Sequence, residues 1–234
     1  MTLYLSRLTL DRAAGNAALM PLLDPESPAR ALDAHHRLLW TLFADSPDRR
    51  RDFLWRTERA GRFFVLSVRP PAAHPLFLPP EVKEFAPALA PGDRLAFVLR
   101  ANATKDRAAI SRLAPEERRG KSRRVDLVMD LLHTVPKSAR AEERFRLADQ
   151  AAREWLARQG AAHGFAPEGI TLHDYSVTPL PRQSGSRAGQ ARLGILDIAG
   201  TLTVTDPATF TARLGKGFGR ARAFGCGLML IRRT

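Results

Sequence analysis

The stretch Gly215-Lys216-Gly217-Phe218-Gly219-Arg220-Ala221-Arg222-Ala223-Phe224-Gly225-Cys226-Gly227 is the most distinctive one in this chain. Its five glycines among thirteen residues allow positive φ angles and a close approach of the backbone to another group. Lys216, Arg220 and Arg222 add positive charge in the same loop. Successive unhindered N–H groups beside cations form a concavity suited to phosphate oxygens. The stretch therefore predicts an anion-binding loop, and a turn whose charges simply face water stays open as the alternative.

The elements on either side of this loop exclude the common nucleotide-binding motifs. The predicted order is a helix over residues 207–214, the glycine-rich loop, and a strand over residues 228–231. A dinucleotide fingerprint needs the order strand, loop, helix and the spacing G-x-G-x-x-G, which no register here provides. The phosphate-loop pattern G-x-x-x-x-G-K-[ST] does not occur either.

The charge of the whole chain points to a polyanionic partner. The 234 residues carry a formal net charge of +13, with an isoelectric point near 11.2. This balance favours a nucleic acid first and an anionic membrane surface second. Hydrophobic residues make up 44% of the chain, which is enough for a packed core.

The single cysteine and the lack of long apolar runs predict a cytoplasmic, soluble protein. Cys226 alone allows neither an internal disulfide nor a cysteine-based zinc site, as expected in a reducing compartment. No apolar run approaches the roughly 18 residues of a membrane span. Residues 1–7 lack the layout of a signal peptide.

Hydrophobic periodicity predicts the order βαββ(α)β for the first part of the chain. The predicted elements are strand 4–10, a helix from Ser27 and Pro28 to about Phe43, strands 52–56 and 63–68, a short helix near residues 81–85, and strand 94–100. The order is that of the ferredoxin-like arrangement of RNA-recognition modules.

A second βαββαβ pattern follows a basic segment rich in Lys and Arg. Its predicted elements are strand 125–128, helix 141–159, strand 170–177, a basic hairpin tip at residues 182–189, strand 193–204, helix 207–214 and strand 228–231. We therefore predict an α+β fold of two tandem ferredoxin-like (RRM-like) domains. The predicted domains cover residues 1–104 and 123–234, joined by a basic linker over residues 105–122.

The motifs leave a single histidine as the natural candidate for catalysis. None of the six histidines lies in an H-x-x-x-H or H-x-E-H pair, so no metal site is expected. No D-x-D cluster suggests a two-metal nuclease, and no G-x-S-x-G elbow marks a serine hydrolase. Any catalysis is therefore expected to use one histidine as acid or base, without a metal or cofactor.

His35 and His36 lie in the middle of the first helix, whose apolar stripe is predicted to contain Leu32, His36, Leu39 and Phe43. In the simplest interpretation one histidine borders the core and the other is solvated. In the functional interpretation His36 lies at the ligand-facing edge of the helix, beside Arg37. Asp33 precedes His36 by three residues, so its carboxylate can lie beside the imidazole and favour its protonated form.

Several segments together carry a family resemblance. They are Tyr4-Leu5-Ser6-Arg7-Leu8, His36-Arg37-Leu38-Leu39-Trp40-Thr41-Leu42-Phe43, Arg51-Asp52-Phe53-Leu54, Phe97-Val98-Leu99-Arg100-Ala101-Asn102 with Lys105, and the glycine-rich stretch with Leu228. With these segments the chain resembles the CasE family, the CRISPR repeat-RNA endoribonucleases of type I-E Cascade complexes. The resemblance spans nearly the whole chain and is loose between residues 105 and 190.

The resemblance implies a tandem ferredoxin-like protein that binds a CRISPR repeat hairpin and cuts the RNA at the 3′ base of the hairpin. The product stays bound within Cascade, so the implied partners are this RNA and other Cascade subunits, with no membrane and no small-molecule cofactor. The family's catalytic histidine falls on His36, with Arg37 near the scissile phosphate. Asp33 replaces the family's usual tyrosine and is kept as a candidate catalytic residue, and Ala103 replaces a frequent proline.

The expected chemistry uses the 2′-hydroxyl of the RNA itself as the nucleophile, with His36 moving the proton and Arg37 stabilising phosphate charge. Binding is expected mainly at phosphates, although each basic residue can equally be a solvated charge. The candidate RNA contacts are Gly215, Lys216, Gly217, Gly219, Arg220, Arg222, Arg182, Arg187, Lys105 and Arg107. If about six phosphates are neutralised, the salt slope of log affinity is near −4 to −5.

Two other functions stay open on the sequence. The first is an RNA-binding subunit of a ribonucleoprotein complex without catalytic activity, since many ferredoxin-like modules have none. The second is a general basic protein that binds DNA or ribosomal RNA.

Overall fold

The computed structural model describes residues 2–46, 48–59, 61–107, 123–179 and 192–234. The strands are β1 (Tyr4–Thr9), β2 (Phe53–Arg59), β3 (Arg62–Ser67), β4 (Glu81–Glu84), β5 (Arg94–Ala101), β6 (Thr104–Arg107), β7 (Arg123–Asp126), β8 (Phe165–Pro179), β9 (Arg192–Val204) and β10 (Met229–Arg233). The helices are α1 (Ala14–Ala17), α2 (Met20–Leu23), α3 (Pro28–Trp40), α4 (Leu127–Leu132), α5 (Arg140–His163) and α6 (Pro207–Lys216), with 3₁₀ turns at Lys137–Ala139 and Arg222–Phe224.

The described strands form two four-stranded antiparallel sheets and one two-stranded ribbon. The first sheet has the order β2-β3-β1-β4, and the second has the order β10-β5-β9-β8. In each sheet the first and third strands along the chain lie in the centre, which is the arrangement of the ferredoxin-like fold. The prediction of an α+β chain with two tandem ferredoxin-like domains is therefore confirmed.

One strand lies in a different sheet from the one that the sequence predicted. β5 was expected to complete the first domain, but it pairs with β9 on one side and β10 on the other. The fourth strand of the first sheet is β4, which pairs with β1 and occupies residues that were predicted as a short helix. The helix prediction was wrong because its few residues lie at a sheet edge, where backbone pairing outweighs weak local preference.

The first residues of the predicted linker, 105–107, belong to a strand. Lys105 and Val125 are opposite each other in the antiparallel ribbon that β6 and β7 form. The strand predicted over residues 125–128 ends at Asp126, whose carboxylate caps α4 by accepting a hydrogen bond from the Met129 N–H at 3.0 Å. The proposed domain limits of 1–104 and 123–234 stay a prediction. Along the chain, the last strand of the first sheet is β4 and the first strand of the second sheet is β5.

The two units differ in their helices. The second follows the full βαββαβ order, with α5 between its first two strands and α6 between its last two. The first has α3 between β1 and β2, and the described chain between β3 and β4 contains no helix. None of the described helices has the length and apolar character needed to cross a membrane.

Two apolar clusters join the units. In one, Leu32 of α3 packs with Leu193 and Ile195 of β9 and with Cys226. In the other, Leu54 of β2 and Leu66 of β3 pack with Leu228, just before β10. Because Cys226 and Leu228 follow each other closely, the end of the glycine-rich stretch lies at the junction of both units.

Candidate active site

Helix α3 places the two adjacent histidines in different environments. His35 is buried and lies with Leu32, Leu38 and Leu39 among the buried residues of the helix, whereas His36 is half-buried. The prediction that His36 belongs to the apolar stripe of this helix was therefore wrong, because His35 takes that place. Leu32, His35 and Leu39 are spaced i, i+3 and i+7, which is the spacing of one helix face.

His35 is a hydrogen-bonded core residue. Its Nε2 lies 3.0 Å from Asp24 Oδ1, and its ring packs edge-on against Phe63 at 4.8 Å. Burial lowers the pKa of His35, and the hydrogen bond and charge of Asp24 oppose that shift only in part. His35 is thus a neutral imidazole that donates Nε2–H to the carboxylate.

His36 is held between two aromatic side chains. Trp40, one turn later on the same helix, donates its Nε1–H to His36 Nε2 at 3.1 Å. On the other side, Phe224 of the 3₁₀ turn has its ring centroid 6.3 Å from that of the imidazole. The turn begins after Ala221, a non-glycine residue with a φ of 54°, which redirects the chain toward α3.

The surroundings of His36 favour its neutral form. Burial is the main cause that lowers the pKa of His36, followed by the positive charge of Arg51. Asp33 acts in the opposite direction, as the sequence predicted, but the burial and the arginine charges outweigh it. A neutral imidazole at neutral pH can accept a proton.

Arg51 and Arg222 bring positive charge to a cleft between the two units. The cleft has a volume of about 1020 Å³ and lies between the start of β2 and helix α6, with Arg51, Lys216 and Arg222 in its wall. The Nη1 atom of Arg51 is buried and has no hydrogen-bond partner among the described residues. Burial, and then the charge of Arg222, lowers the pKa of Arg51, so the two positive charges are close enough to repel each other.

Arg37 and Asp33 pair with each other. Arg37 Nη2 lies 2.8 Å from Asp33 Oδ2, and 78% of the Arg37 side chain is exposed. An exposed i,i+4 ion pair of this kind contributes only about 0.3–0.5 kcal/mol. The carboxylate of Asp33 is therefore engaged by Arg37 on the outer side of the helix.

The glycine-rich stretch packs closely against the protein itself. Gly217 has a φ of +76°, and a Cβ there would lie 2.8 Å from Leu54 Cδ1. Gly225 has a φ of +71°, and a Cβ there would lie 3.1 Å from the Trp55 ring. The close approach at these two glycines is thus to core side chains, while exposed Lys216 and half-buried Arg222 contribute charge.

The stretch is also tied to the segment that ends β5. Asn102 O accepts a hydrogen bond from the Arg220 N–H at 3.3 Å, and Asn102 Nδ2 donates to Gly194 O at 2.8 Å. The Gly227 N–H donates to Arg100 O at 2.8 Å. The glycine-rich stretch and the segment of residues 97–102, which both carry the resemblance, are therefore neighbours in the fold.

Of the four other predicted RNA contacts, two lie in β6 and two lie outside the described residues. Lys105 in β6 pairs with Asp130 of α4, with Nζ 2.5 Å from Oδ2. Arg107 is the last residue of β6. Arg182 and Arg187 lie outside the described residues. Within the described ranges, no group of three or more His, Cys, Asp or Glu side chains is arranged to hold a metal ion.

Sequence reasoning missed Trp40 and Arg51 as neighbours of His36. Trp40 could have been found, because a residue four positions after a histidine in a helix lies on the same face. Arg51 carried no such signal, since it lies beyond the helix and reaches the site only through the tertiary fold.

Comparison with known proteins identifies the family. A family model described as CRISPR associated protein matches residues 3–233. A search of curated protein sequences finds no match.

Several solved structures are similar over nearly the full length. CRISPR endoribonuclease Cse3 bound to a 19-nucleotide RNA is 25% identical with a TM-score of 0.65, and the match covers 99% of this chain and 100% of that one. Cse3 from Thermus thermophilus, bound to an RNA representing a pre-cleavage complex, is 24% identical with a TM-score of 0.63 and coverage of 99% and 100%. The CRISPR-associated protein Cas6e from Escherichia coli str. K-12 is 21% identical, with a TM-score of 0.62 and coverage of 99% and 100%.

The fold, the glycine-rich stretch and these matches all indicate the same family. Matched by the family model from residue 3 to residue 233, the chain belongs to the CRISPR associated protein family, and its resemblance to CasE is confirmed.

Proposed function

We propose that this protein is a metal-independent endoribonuclease that binds the repeat hairpin of a CRISPR precursor RNA and cleaves it at the 3′ base of the hairpin. The observation that carries the proposal is the full-length similarity to an RNA-bound CRISPR endoribonuclease, combined with a half-buried histidine on which the positive charge of Arg51 acts. The product stays bound, and the protein acts as a subunit of Cascade in the cytoplasm.

The reaction needs little more than alignment and one proton transfer. Nε2 of His36 accepts the proton of the 2′-hydroxyl next to the scissile phosphate. The 2′-oxygen then attacks phosphorus, the bond from phosphorus to the 5′-oxygen breaks, and the leaving oxygen takes a proton from water. The products are a 2′,3′-cyclic phosphate and a 5′-hydroxyl, and the histidine contributes on the order of 10²–10⁴ in rate.

Positive charge near His36 stabilises the negative charge that develops on the phosphate oxygens. Arg51 and Arg222 are the half-buried cations of the cleft and are the proposed main contributors. Arg37 is proposed as an outer phosphate contact, because its exposed guanidinium is shared with Asp33. Lys216 and Arg220 extend the charged surface along the glycine-rich stretch.

One cleavage assay tests the proposal. Wild type and His36→Ala are incubated with a CRISPR repeat RNA in EDTA, and with the same RNA carrying a 2′-deoxy sugar at the cleavage nucleotide. We expect wild type to cut only the unmodified RNA, His36→Ala to bind it without cutting, and the products to carry the ends given above. Cleavage of the deoxy substrate would exclude the mechanism.

The same assay separates the alternatives. If wild type binds the repeat RNA but never cuts it, the protein is a non-catalytic RNA-binding subunit. If duplex DNA or single strands compete as well as the hairpin does, it is a general basic nucleic-acid-binding protein. A requirement for added Mg²⁺ would contradict metal-independent catalysis.

A further inference from the structure

Trp40 is the only described residue whose side chain makes a hydrogen bond to the His36 imidazole. The indole Nε1–H is a donor and never an acceptor, so the nitrogen that it contacts must carry a lone pair. The Nε1–Nε2 distance of 3.1 Å therefore assigns His36 Nε2 as the acceptor. In the neutral imidazole the proton then lies on Nδ1.

The indole is itself held in place by the first core. Its ring meets Phe53 edge-on, with 5.5 Å between ring centroids and an angle of 80° between ring planes. Trp40 packs against the buried cluster that contains Leu39, Phe43 and Phe53. These contacts hold the donor beside the imidazole in the RNA-free protein.

The charged residues near His36 make no hydrogen bond to its imidazole within the described chain. Asp33 pairs with Arg37 at 2.8 Å, and within the described chain no carboxylate bonds the imidazole. The charged groups that act on His36 are Arg51, Asp33 and Arg37. A lone aromatic N–H donor therefore sets the hydrogen-bonding state of this histidine.

We infer that Trp40 is a positioning residue that presets the tautomer of His36, so that Nε2 is the nitrogen that accepts a proton. The indole N–H occupies the place that a 2′-hydroxyl donor takes when RNA binds. The hydroxyl then replaces the indole, its O–H bond breaks, and an Nε2–H bond forms. The catalytic consequence rests on the proposed function, whereas the tautomer does not.

The tautomer can be measured in the RNA-free protein by ¹⁵N NMR of the imidazole nitrogens, with His36 assigned by its loss in His36→Ala. We expect wild-type His36 to show a protonated Nδ1 and an unprotonated Nε2. Trp40→Phe keeps an aromatic ring but removes the donor. This variant is expected to show a mixture of tautomers and a raised pKa for His36, because the bond that favours the neutral form is lost.

Trp55→Phe is the matched control. Trp55 lies in the same core, and its Nε1 is buried without a hydrogen-bond partner in the described residues, so this change removes the same atoms but no bond to His36. Its His36 signals are expected to match wild type. A protonated Nε2 in wild type, or identical His36 signals in Trp40→Phe and wild type, would overturn the inference.

Cleavage of repeat RNA gives a second readout. The acidic limb of kcat/KM against pH reports the pKa of the free enzyme. This limb is expected to move to higher pH in Trp40→Phe and to stay in place in Trp55→Phe, and an unmoved limb in both variants counts against Trp40. A wild-type protein that shows the expected tautomer but cuts no RNA supports the assignment of the tautomer to Trp40 and overturns the proposed function.

Discussion

The inner and outer sides of helix α3 carry the same residue type in two different states. On the inner side, His35 is 4% exposed and bonds Asp24 among Phe63 and Trp55. On the outer side, half-buried His36 receives a hydrogen bond from Trp40 and lies near Arg51. One step along a helix rotates a side chain by roughly 100°, which is enough to separate a core residue from a reactive one.

Burial lowers the pKa of both histidines, but the consequences differ. His35 already donates to the half-buried carboxylate of Asp24 and is itself buried, so it is not accessible to a ligand. His36 Nε2 accepts a hydrogen bond from the indole N–H of Trp40, and the positive charge of Arg51 acts on this half-buried imidazole. Accessibility and the neighbouring groups, more than the pKa shift, distinguish the candidate catalytic residue.

The largest expected effect comes from removing the outer histidine. In His36→Ala, the cleavage rate for repeat RNA falls by about 10²–10⁴, because the proton acceptor is lost. RNA affinity and the urea midpoint stay close to wild type, since His36 is not part of the core. Single-turnover cleavage and equilibrium unfolding measure the two quantities. Equal cleavage by His36→Ala would assign the reaction to other groups.

Removing the inner histidine should affect stability and leave the chemistry intact. In His35→Leu, the bond to Asp24 is lost and Oδ1 of this carboxylate, whose side chain is 10% exposed, is left without that donor, which costs about 1–3 kcal/mol in the free energy of unfolding. Arg12 still pairs with Asp24 Oδ2 at 3.0 Å, so the charge is not isolated. Urea unfolding gives the stability, and cleavage by the folded fraction should match wild type. A loss of cleavage without loss of stability would give His35 a catalytic role.

The cations around His36 provide a smaller contrast. Arg51→Met replaces a half-buried cation by an uncharged side chain of similar length. We expect the magnitude of the salt slope of log affinity to decrease by about 0.7–0.9, as for one lost phosphate contact. Arg37→Met is the matched control on the exposed side and should change the slope less, because Asp33 already shares its charge. Binding of a non-cleavable 2′-deoxy repeat at several salt concentrations measures both. An unchanged slope for Arg51→Met would remove Arg51 from the RNA site.

The smallest expected effect is a pH dependence of stability. Burial lowers the pKa of His35 in the folded chain, so the unfolded chain binds more protons once the pH falls below about 6.5. The contribution of neutral His35 is complete above that pH and is lost as the pH falls from the unfolded pKa to the lower folded pKa. Urea unfolding between pH 7 and pH 5 should show a shallower decline for His35→Leu than for wild type. Parallel declines would mean that His35 does not titrate differently on folding.

The order of elements could be predicted because it depends on local patterns. β1, α3, the β2–β3 hairpin, α5 and α6 all lie where periodicity placed them. β4 was missed because it has four residues, all of them exposed, and so has no apolar alternation to read. The role of the glycines was only partly predictable, since a positive φ at Gly217 or Gly225 does not reveal whether a ligand or a core side chain lies opposite.

The sequence by itself determined the element types, the basic character and the helix that carries the candidate histidine. Only the tertiary structure decided which sheet β5 joins, which of the two histidines faces the core, and which cations meet the other one. The physical reason is that hydrophobic periodicity indicates whether a residue is buried but does not indicate which residues it packs against. Strand partners and contacts such as that of Arg51 with the site depend on long-range packing, which brings together residues that are far apart in the chain.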